Sequence, residues 1–134
     1  MPRTYHLILA STFEESERVP DFVEEIQNEA GLSDKITGNF MLLLSEAVSN
    51  AIDHGNKNDP SKKVEIEIQI TGKEIKASVH DEGEGFNPDN TKNPVMEENL
   101  LDPSGRGIFI LKELADSVEF EDNGRKLIFA MNRE

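Results

Sequence analysis

The sequence predicts an α+β fold in which helices cover one face of a mixed, mostly antiparallel sheet, forming a two-layer α/β sandwich. Three observations predict this fold: a strand pattern opens the chain, amphipathic helical patterns follow it, and two strand–turn–strand patterns come after them. No internal repeat, low-complexity segment or linker interrupts this order. The sequence is therefore predicted to form one domain, residues 1–134, which is within the usual size of a single domain.

The predicted strands are short runs rich in β-branched and aromatic residues, bounded by turn residues. Between Val64 and Ile70 apolar and polar residues alternate strictly, which predicts a strand with one buried face. Thr71-Gly72-Lys73 forms the turn of the first hairpin, and Asn123-Gly124 forms the turn of the second. The predicted strands span residues 3–10, 64–70, 75–79, 117–121 and 126–131.

Helices are predicted where apolar residues recur on one helical face. The first spans residues 14–30 and ends before Gly31, a typical C-cap residue. The second begins after the N-cap candidate Ser33 and continues to Asp53. A shorter helix is predicted over residues 108–115.

The chain is strongly acidic, with a formal net charge of −13. Nucleic acid is not expected as a direct partner, because phosphate binding needs clustered Lys and Arg, which the sequence lacks. An acidic surface suits a partner with a basic face, although solubility explains the charge equally well. The absence of cysteine excludes disulfides and thiolate metal sites. With no signal peptide and no membrane-spanning apolar run, we expect no membrane association and a cytoplasmic location.

One predicted helix carries a polar face near its C-terminal end. Glu46, Asn50 and Asp53 are spaced four and three residues apart and therefore line one side. A carboxylate and a carboxamide one turn apart can hold a hydrated Mg²⁺, which prefers oxygen ligands, and can orient a nucleophile. A solvated helix face is the alternative interpretation. The residues predicted to form the opposite, core-facing stripe are Leu44, Val48, Ala51 and Ile52.

A second segment, Asp81-Glu82-Gly83-Glu84-Gly85-Phe86, directly follows a predicted strand. Two glycines two positions apart permit a sharp turn and a close approach of a ligand to the backbone. An aspartate at the strand end can accept a hydrogen bond from an exocyclic amine. An ordinary glycine-rich turn is the alternative interpretation.

A third segment, Ser104-Gly105-Arg106-Gly107-Ile108, opens the predicted short helix. Free amides and the helix dipole favour phosphate there, and Arg106 adds a charge suited to phosphate. The alternative is a flexible loop leading into a helix, with Arg106 in solvent. Residues 83–107 are rich in turn residues, and a loop of that length is usually functional or mobile.

The order of these three segments resembles that of the GHKL ATPases. Glu46-x-x-x-Asn50-Ala51-x-x-His54-Gly55 resembles the N-box, Asp81-x-Gly83-x-Gly85-Phe86 the G1 box and Gly105-Arg106-Gly107-Ile108 the G2 box. The run SEAVSNAIDHGN, the short chain and the start GRGI of the last helix are most similar to anti-sigma-factor serine kinases. The resemblance spans nearly the whole chain.

The resemblance implies a GHKL (Bergerat) ATPase fold that binds ATP and Mg²⁺ beneath a lid of residues 87–104. It implies two catalytic residues: Glu46 as the general base and Arg106 at the γ-phosphate or the partner. Asn50 would hold Mg²⁺ and Asp81 would bind the adenine amine. The cofactor-binding residues that it implies are Asn50, Asp53, His54, Asp81, Gly83, Gly85, Phe86, Gly105, Arg106, Gly107 and Ile108.

The implied reaction is ATP-dependent phosphorylation of a serine on an STAS-type anti-anti-sigma protein. The same protein would bind a sigma factor and keep it inactive, and family members are commonly homodimers. A second hypothesis keeps the fold but makes the chain a binding module, with ATP as a switch ligand or absent. A histidine-kinase catalytic domain shares the boxes, but His6 and His80 lie in or beside predicted strands, where neither suits a phosphoacceptor.

One position departs from the pattern of the family. After the last hairpin turn the family usually carries a Gly-Thr pair, whose Thr helps to bind adenine, whereas here Gly124 is followed by Arg125 and Lys126. This departure favours the binding-module hypothesis slightly, while intact Glu46 and Asn50 favour the kinase. We interpret Arg125 and Lys126 as exposed strand residues.

Overall fold

The fold is given by a computed structural model that describes residues 3–83 and 113–133. In chain order it contains β1 (Arg3–Ala10), α1 (Phe13–Ser16), α2 (Arg18–Ala30), α3 (Asp34–Asn50), a π-helical turn (Ala51–Gly55), β2 (Lys63–Ile70), β3 (Glu74–His80), β4 (Ser117–Glu121), a 3₁₀ turn (Asp122–Gly124) and β5 (Lys126–Asn132). The strands form one sheet in the order β1-β2-β3-β5-β4, and each neighbouring pair is antiparallel. The predicted α+β class is confirmed.

The core lies between the helices and one face of the sheet. Strict alternation in β2 sends its apolar residues inward, and Val64, Ile66 and Ile68 have no exposed surface. The ring of Phe40 on α3 packs on that of Phe129 on β5, with centroids 5.7 Å apart. Within the described ranges no helix is both long and apolar enough to cross a membrane.

The first predicted helix is interrupted. The structure has the single turn α1, capped by the Thr12 side chain, and then α2, which begins at Arg18. Pro20 explains the break, because proline has no N–H and could not donate to the Ser16 carbonyl in a continuous helix. As the third residue of α2 it is tolerated, since the first N–H groups of a helix have no partner within it. The predicted C-cap is confirmed: Gly31 is left-handed, with φ 70°.

The second predicted helix has its predicted start and an altered end. The Ser33 hydroxyl accepts a hydrogen bond from the Ile36 N–H at 3.2 Å, so the N-cap is confirmed. The last turn widens into a π-helical turn, in which the Asn56 N–H donates to the Ala51 carbonyl at 2.8 Å. This wider turn changes the direction of the side chains after Asn50 relative to a regular α-helix.

Candidate functional site

The end of the π-helical turn and the end of β3 pack directly against each other. A Cβ atom at Gly55 would collide with the carboxyl group of Asp81, and one at Gly83 would collide with the Gly55 carbonyl oxygen. Only glycine leaves room for these contacts. Two segments that the sequence analysis assigned to one site therefore meet, with Asp81 at their junction.

Asp81 is held in a defined orientation. Its N–H donates to the Arg125 carbonyl at 2.9 Å, and its Oδ1 accepts from the Gly83 N–H at 2.8 Å. Burial raises the pKa of the Asp81 carboxyl, while the bond from Gly83 and the nearby positive groups His80, Arg125 and Lys62 oppose that rise. A partly desolvated carboxylate with one oxygen fixed by the backbone suits an amine donor of a ligand.

Asn56 connects three segments at this junction and is fully buried. Its Oδ1 accepts from the Glu82 N–H at 2.8 Å, and its Nδ2 donates to the Lys63 carbonyl at 3.0 Å. Asn56 lies within the motif run, but no role was predicted for it. The one available signal was its place directly after the His54-Gly55 pair.

The polar face of α3 is not a solvated surface at Asn50. Asn50 is 8% exposed, and its buried Nδ2 has no hydrogen-bond partner among the described residues. A buried polar atom without a partner costs about 1–3 kcal/mol and calls for an explanation, such as a ligand. Glu46, one turn earlier, is half-buried. The four residues predicted to form the opposite stripe are buried: Leu44, Val48, Ala51 and Ile52.

Asp53 and His54 are less buried than Asn50. Asp53 is exposed and its Oδ1 accepts from Asn58 Nδ2 at 2.7 Å. His54 is half-buried, and its buried Nε2 lies 4.0 Å from Asp53 Oδ2 with no hydrogen-bond partner in the described ranges. The π-helical turn accounts for the outward direction of Asp53, and the roles of both residues in nucleotide binding stay predictions.

The interpretation of Arg125 as an exposed strand residue is wrong. It lies in the turn before β5 and is half-buried. Its Nε donates to the Gly83 carbonyl at 2.7 Å, and its NH1 lies 3.4 Å from Asp122 Oδ1. Arg125 therefore contacts the candidate site, and the sequence gives no sign of this because the contact joins residues 42 positions apart.

Comparison with known proteins identifies the family. Residues 9–131 match the model of the histidine kinase-like ATPase domain. The chain belongs to this family. The match confirms the predicted resemblance, and membership of an ATPase family implies that the domain binds ATP.

The relatives and the structural neighbour of this ATPase domain agree with the match. Anti-sigma F factors from Oceanobacillus iheyensis and Clostridium perfringens are each 39% identical, over 58% and 63% of this chain and 54% and 64% of their own. The chain thus covers less than two thirds of these curated relatives. A structure of RsbU and RsbW domains from Mycobacterium tuberculosis matches with a TM-score of 0.68 and 17% identity, over 98% of this chain and 32% of that one. This likeness supports the fold.

The donor set of the ATPase domain fits a nucleotide with Mg²⁺. The unpartnered Asn50 Nδ2 calls for an acceptor such as a phosphate oxygen, Asp81 offers an oriented carboxylate, and the glycine contacts bring backbone close to that carboxylate. Residues 3–83 and 113–133 hold no cluster of three or more His, Cys, Asp or Glu side chains that could bind a metal. Mg²⁺ needs no such cluster when phosphate oxygens and water complete its shell.

Half of the predicted site residues fall outside the described ranges. They are Gly85, Phe86, Gly105, Arg106, Gly107 and Ile108, together with the predicted lid at residues 87–104 and most of the predicted helix at 108–115. Their roles stay predictions.

Proposed function

We propose that the chain is an ATP-dependent protein serine kinase that phosphorylates an STAS-type anti-anti-sigma protein and also binds a sigma factor as an anti-sigma factor. The observation that carries the proposal is the packing of Gly55 and Gly83 around Asp81. Gly55 ends the π-helical turn that directly follows the buried Asn50. The names of the anti-sigma F relatives support the choice of partners.

Each predicted site residue has a role in this proposal. Asp81 accepts a hydrogen bond from the adenine amine, using a carboxylate that Gly83 already orients. Asn50 holds Mg²⁺, which when bound neutralises phosphate charge. Glu46, one helical turn from Asn50, orients the attacking serine hydroxyl and receives its proton. Arg106 interacts with the γ-phosphate or with the partner.

Partner binding in this proposal uses the acidic character of the chain. A net charge of −13 favours association with a protein that carries a basic face. Direct binding of nucleic acid is not part of the proposal, for the same electrostatic reason. A homodimer in the cytoplasm remains the expectation from the resemblance.

A binding module without catalysis is the second candidate function. The replacement of the usual Thr by Arg125 favours it, because the hydroxyl that helps to hold adenine in the family is absent. In this case the chain would bind its partner with ATP as a switch ligand or without ATP.

Titration with a fluorescent ADP analogue, with and without Mg²⁺, tests the nucleotide site. We expect saturable binding that Asp81→Asn abolishes and that Asn50→Ala makes insensitive to Mg²⁺. Asn28→Ala is the matched control, because Asn28 is exposed on α2. Absence of binding by the wild type would refute the nucleotide site and with it the kinase.

Transfer of labelled phosphate from ATP to an STAS protein separates the two candidate functions. We expect Glu46→Gln to abolish transfer while partner binding is kept, and Glu24→Gln, an exposed glutamate on α2, to behave as the wild type. Nucleotide binding and partner binding without any transfer by the wild type would support the binding module instead.

A further inference from the structure

The turn that ends in Arg125 holds the Asp81–Gly83 segment, to which Asn56 also bonds. Arg125 makes two contacts there: its backbone carbonyl accepts from the Asp81 N–H at 2.9 Å, and its Nε donates to the Gly83 carbonyl at 2.7 Å. The Gly83 N–H in turn donates to Asp81 Oδ1. Arg125 therefore bonds to both ends of the short turn, residues 81–83, that orients the Asp81 carboxylate.

The position of Arg125 is itself fixed by a network of charged groups. The backbone carbonyl of Asp122 accepts from the Arg125 N–H across the 3₁₀ turn at 3.1 Å. The Asp122 carboxylate lies 2.8 Å from His80 Nε2 and 3.4 Å from Arg125 NH1. The hydrogen bond with His80 is the main cause that lowers the pKa of the Asp122 carboxyl. His80 directly precedes Asp81, so the network closes on the segment that Arg125 holds.

We propose that Arg125 is a positioning residue for purine selectivity, which acts by holding the Gly83 peptide and through it the Asp81 carboxylate. The inference rests on the proposed nucleotide site and explains how that site works without the usual Thr. A Thr hydroxyl would touch the base, whereas the Arg125 side chain fixes the group that touches it. Losing this bond would let the carboxylate move, and recognition of the exocyclic amine would weaken more than binding of the rest of the nucleotide.

Three substitutions separate the hydrogen bond of Arg125 from its charge. In Arg125→Gln the amide nitrogen stands as many bonds from the backbone as Nε, so the donor to Gly83 is kept and the charge is lost. In Arg125→Lys a methylene takes that place and the N–H groups lie one bond further out, so the charge is kept and the donor at the Nε position is lost. Arg125→Ala removes both.

Isothermal titration with ADP and with inosine diphosphate, both with Mg²⁺, gives the readout as a ratio of Kd values. Inosine has a carbonyl in place of the adenine amine, so we expect the wild type to prefer ADP by about tenfold or more. The ratio should fall by about fivefold in Arg125→Ala and Arg125→Lys, the change expected for one lost hydrogen bond, and should largely return in Arg125→Gln. Arg125→Lys thus tests whether charge alone suffices.

Arg133→Ala is the matched control. Its guanidinium donates to two backbone carbonyls, at Thr71 and Ala30, at 2.8 and 3.0 Å. The control therefore loses a similar set of bonds at a distance from Asp81, and its ratio should equal that of the wild type even if its thermal midpoint falls.

The outcomes distinguish this inference from the proposed function. A wild type that prefers ADP and an Arg125→Ala variant that keeps the full ratio would overturn the inference alone. Rescue by Arg125→Lys rather than Arg125→Gln would overturn it as well, because charge would then be the cause. Failure of the wild type to bind either nucleotide would overturn the proposed site and the inference together.

Discussion

The two ends of the β2–β3 hairpin are stabilised in different ways. At the closed end, the Thr71 hydroxyl accepts from the N–H groups of Lys73 and Glu74 at 3.2 and 3.1 Å, so most of the turn is held by its own residues. At the open end, the peptide groups of residues 81–83 bond to Asn56 and Arg125, which are 26 and 42 positions away from their partners. The closed end is largely local, although Arg133 donates to the Lys73 and Thr71 carbonyls, whereas the open end is a junction of separate segments.

This difference explains where the site lies. The turn at the closed end satisfies two of its N–H groups with its own Thr71 hydroxyl, so it depends less on other segments. The open end brings together a helix end, a strand end and a hairpin turn, and it gathers the buried amide of Asn56, the oriented carboxylate of Asp81 and two glycines at which a Cβ would collide. Glycine substitutions at the two ends give the sharpest test of the comparison.

Gly83→Ala should have the largest effect, because its Cβ would collide with the Gly55 carbonyl, a backbone atom that cannot turn aside. We expect a loss of about 3 kcal/mol in the free energy of unfolding, measured in urea, together with loss of ADP binding. Gly72→Ala at the closed end is the matched control: its Cβ would have no neighbour within 4 Å, and stability should change by about 1 kcal/mol or less. Equal midpoints for the two variants would contradict the close packing of the junction.

The fold and the site differ in how far the sequence predicts them. Alternation in β2, the cap at Ser33 and the left-handed Gly31 were all predicted, because each depends on residues a few positions apart. The break before α2 also has a local cause, which is Pro20. It was not predicted because the apolar residues on both sides of the break keep the helical period. No sequence pattern was used to predict the π-helical turn.

The contacts of the junction could not be predicted by the same reasoning. The motif order made Asp81 and Asn50 candidates, but the bond from Arg125 to Gly83 depends on how a hairpin turn meets a strand end in space. A sequence pattern records no such distance, so Arg125 was interpreted from its strand neighbours alone. Asn56 was missed for the same reason, although it lies inside the motif run.

Asn56→Ala should have the next largest effect, because it leaves the Glu82 N–H and the Lys63 carbonyl without their partner in a buried place. We expect a loss of about 2 kcal/mol in the free energy of unfolding. Thr71→Ala makes the equivalent change at the closed end, where the turn is partly open to water, and should cost about half as much. Amide hydrogen exchange provides a second readout: Asn56→Ala should raise exchange at Glu82, and Thr71→Ala should not. A larger loss in Thr71→Ala would reverse the comparison of the two ends.

Asp81→Asn should change stability least while abolishing nucleotide binding. The pKa of Asp81 is raised in the folded protein, so the native state binds its proton more readily than the unfolded chain does. The ionised carboxylate therefore costs stability at pH 7, and this cost disappears as the pH falls through the folded pKa. The Asn variant keeps an oxygen for the Gly83 N–H and carries no charge, so its urea midpoint at pH 7 should equal or exceed that of the wild type. The two urea midpoints should converge as the pH is lowered. A wild type more stable than Asp81→Asn at pH 7 would contradict this prediction, because the ionised carboxylate would then stabilise the protein without a ligand.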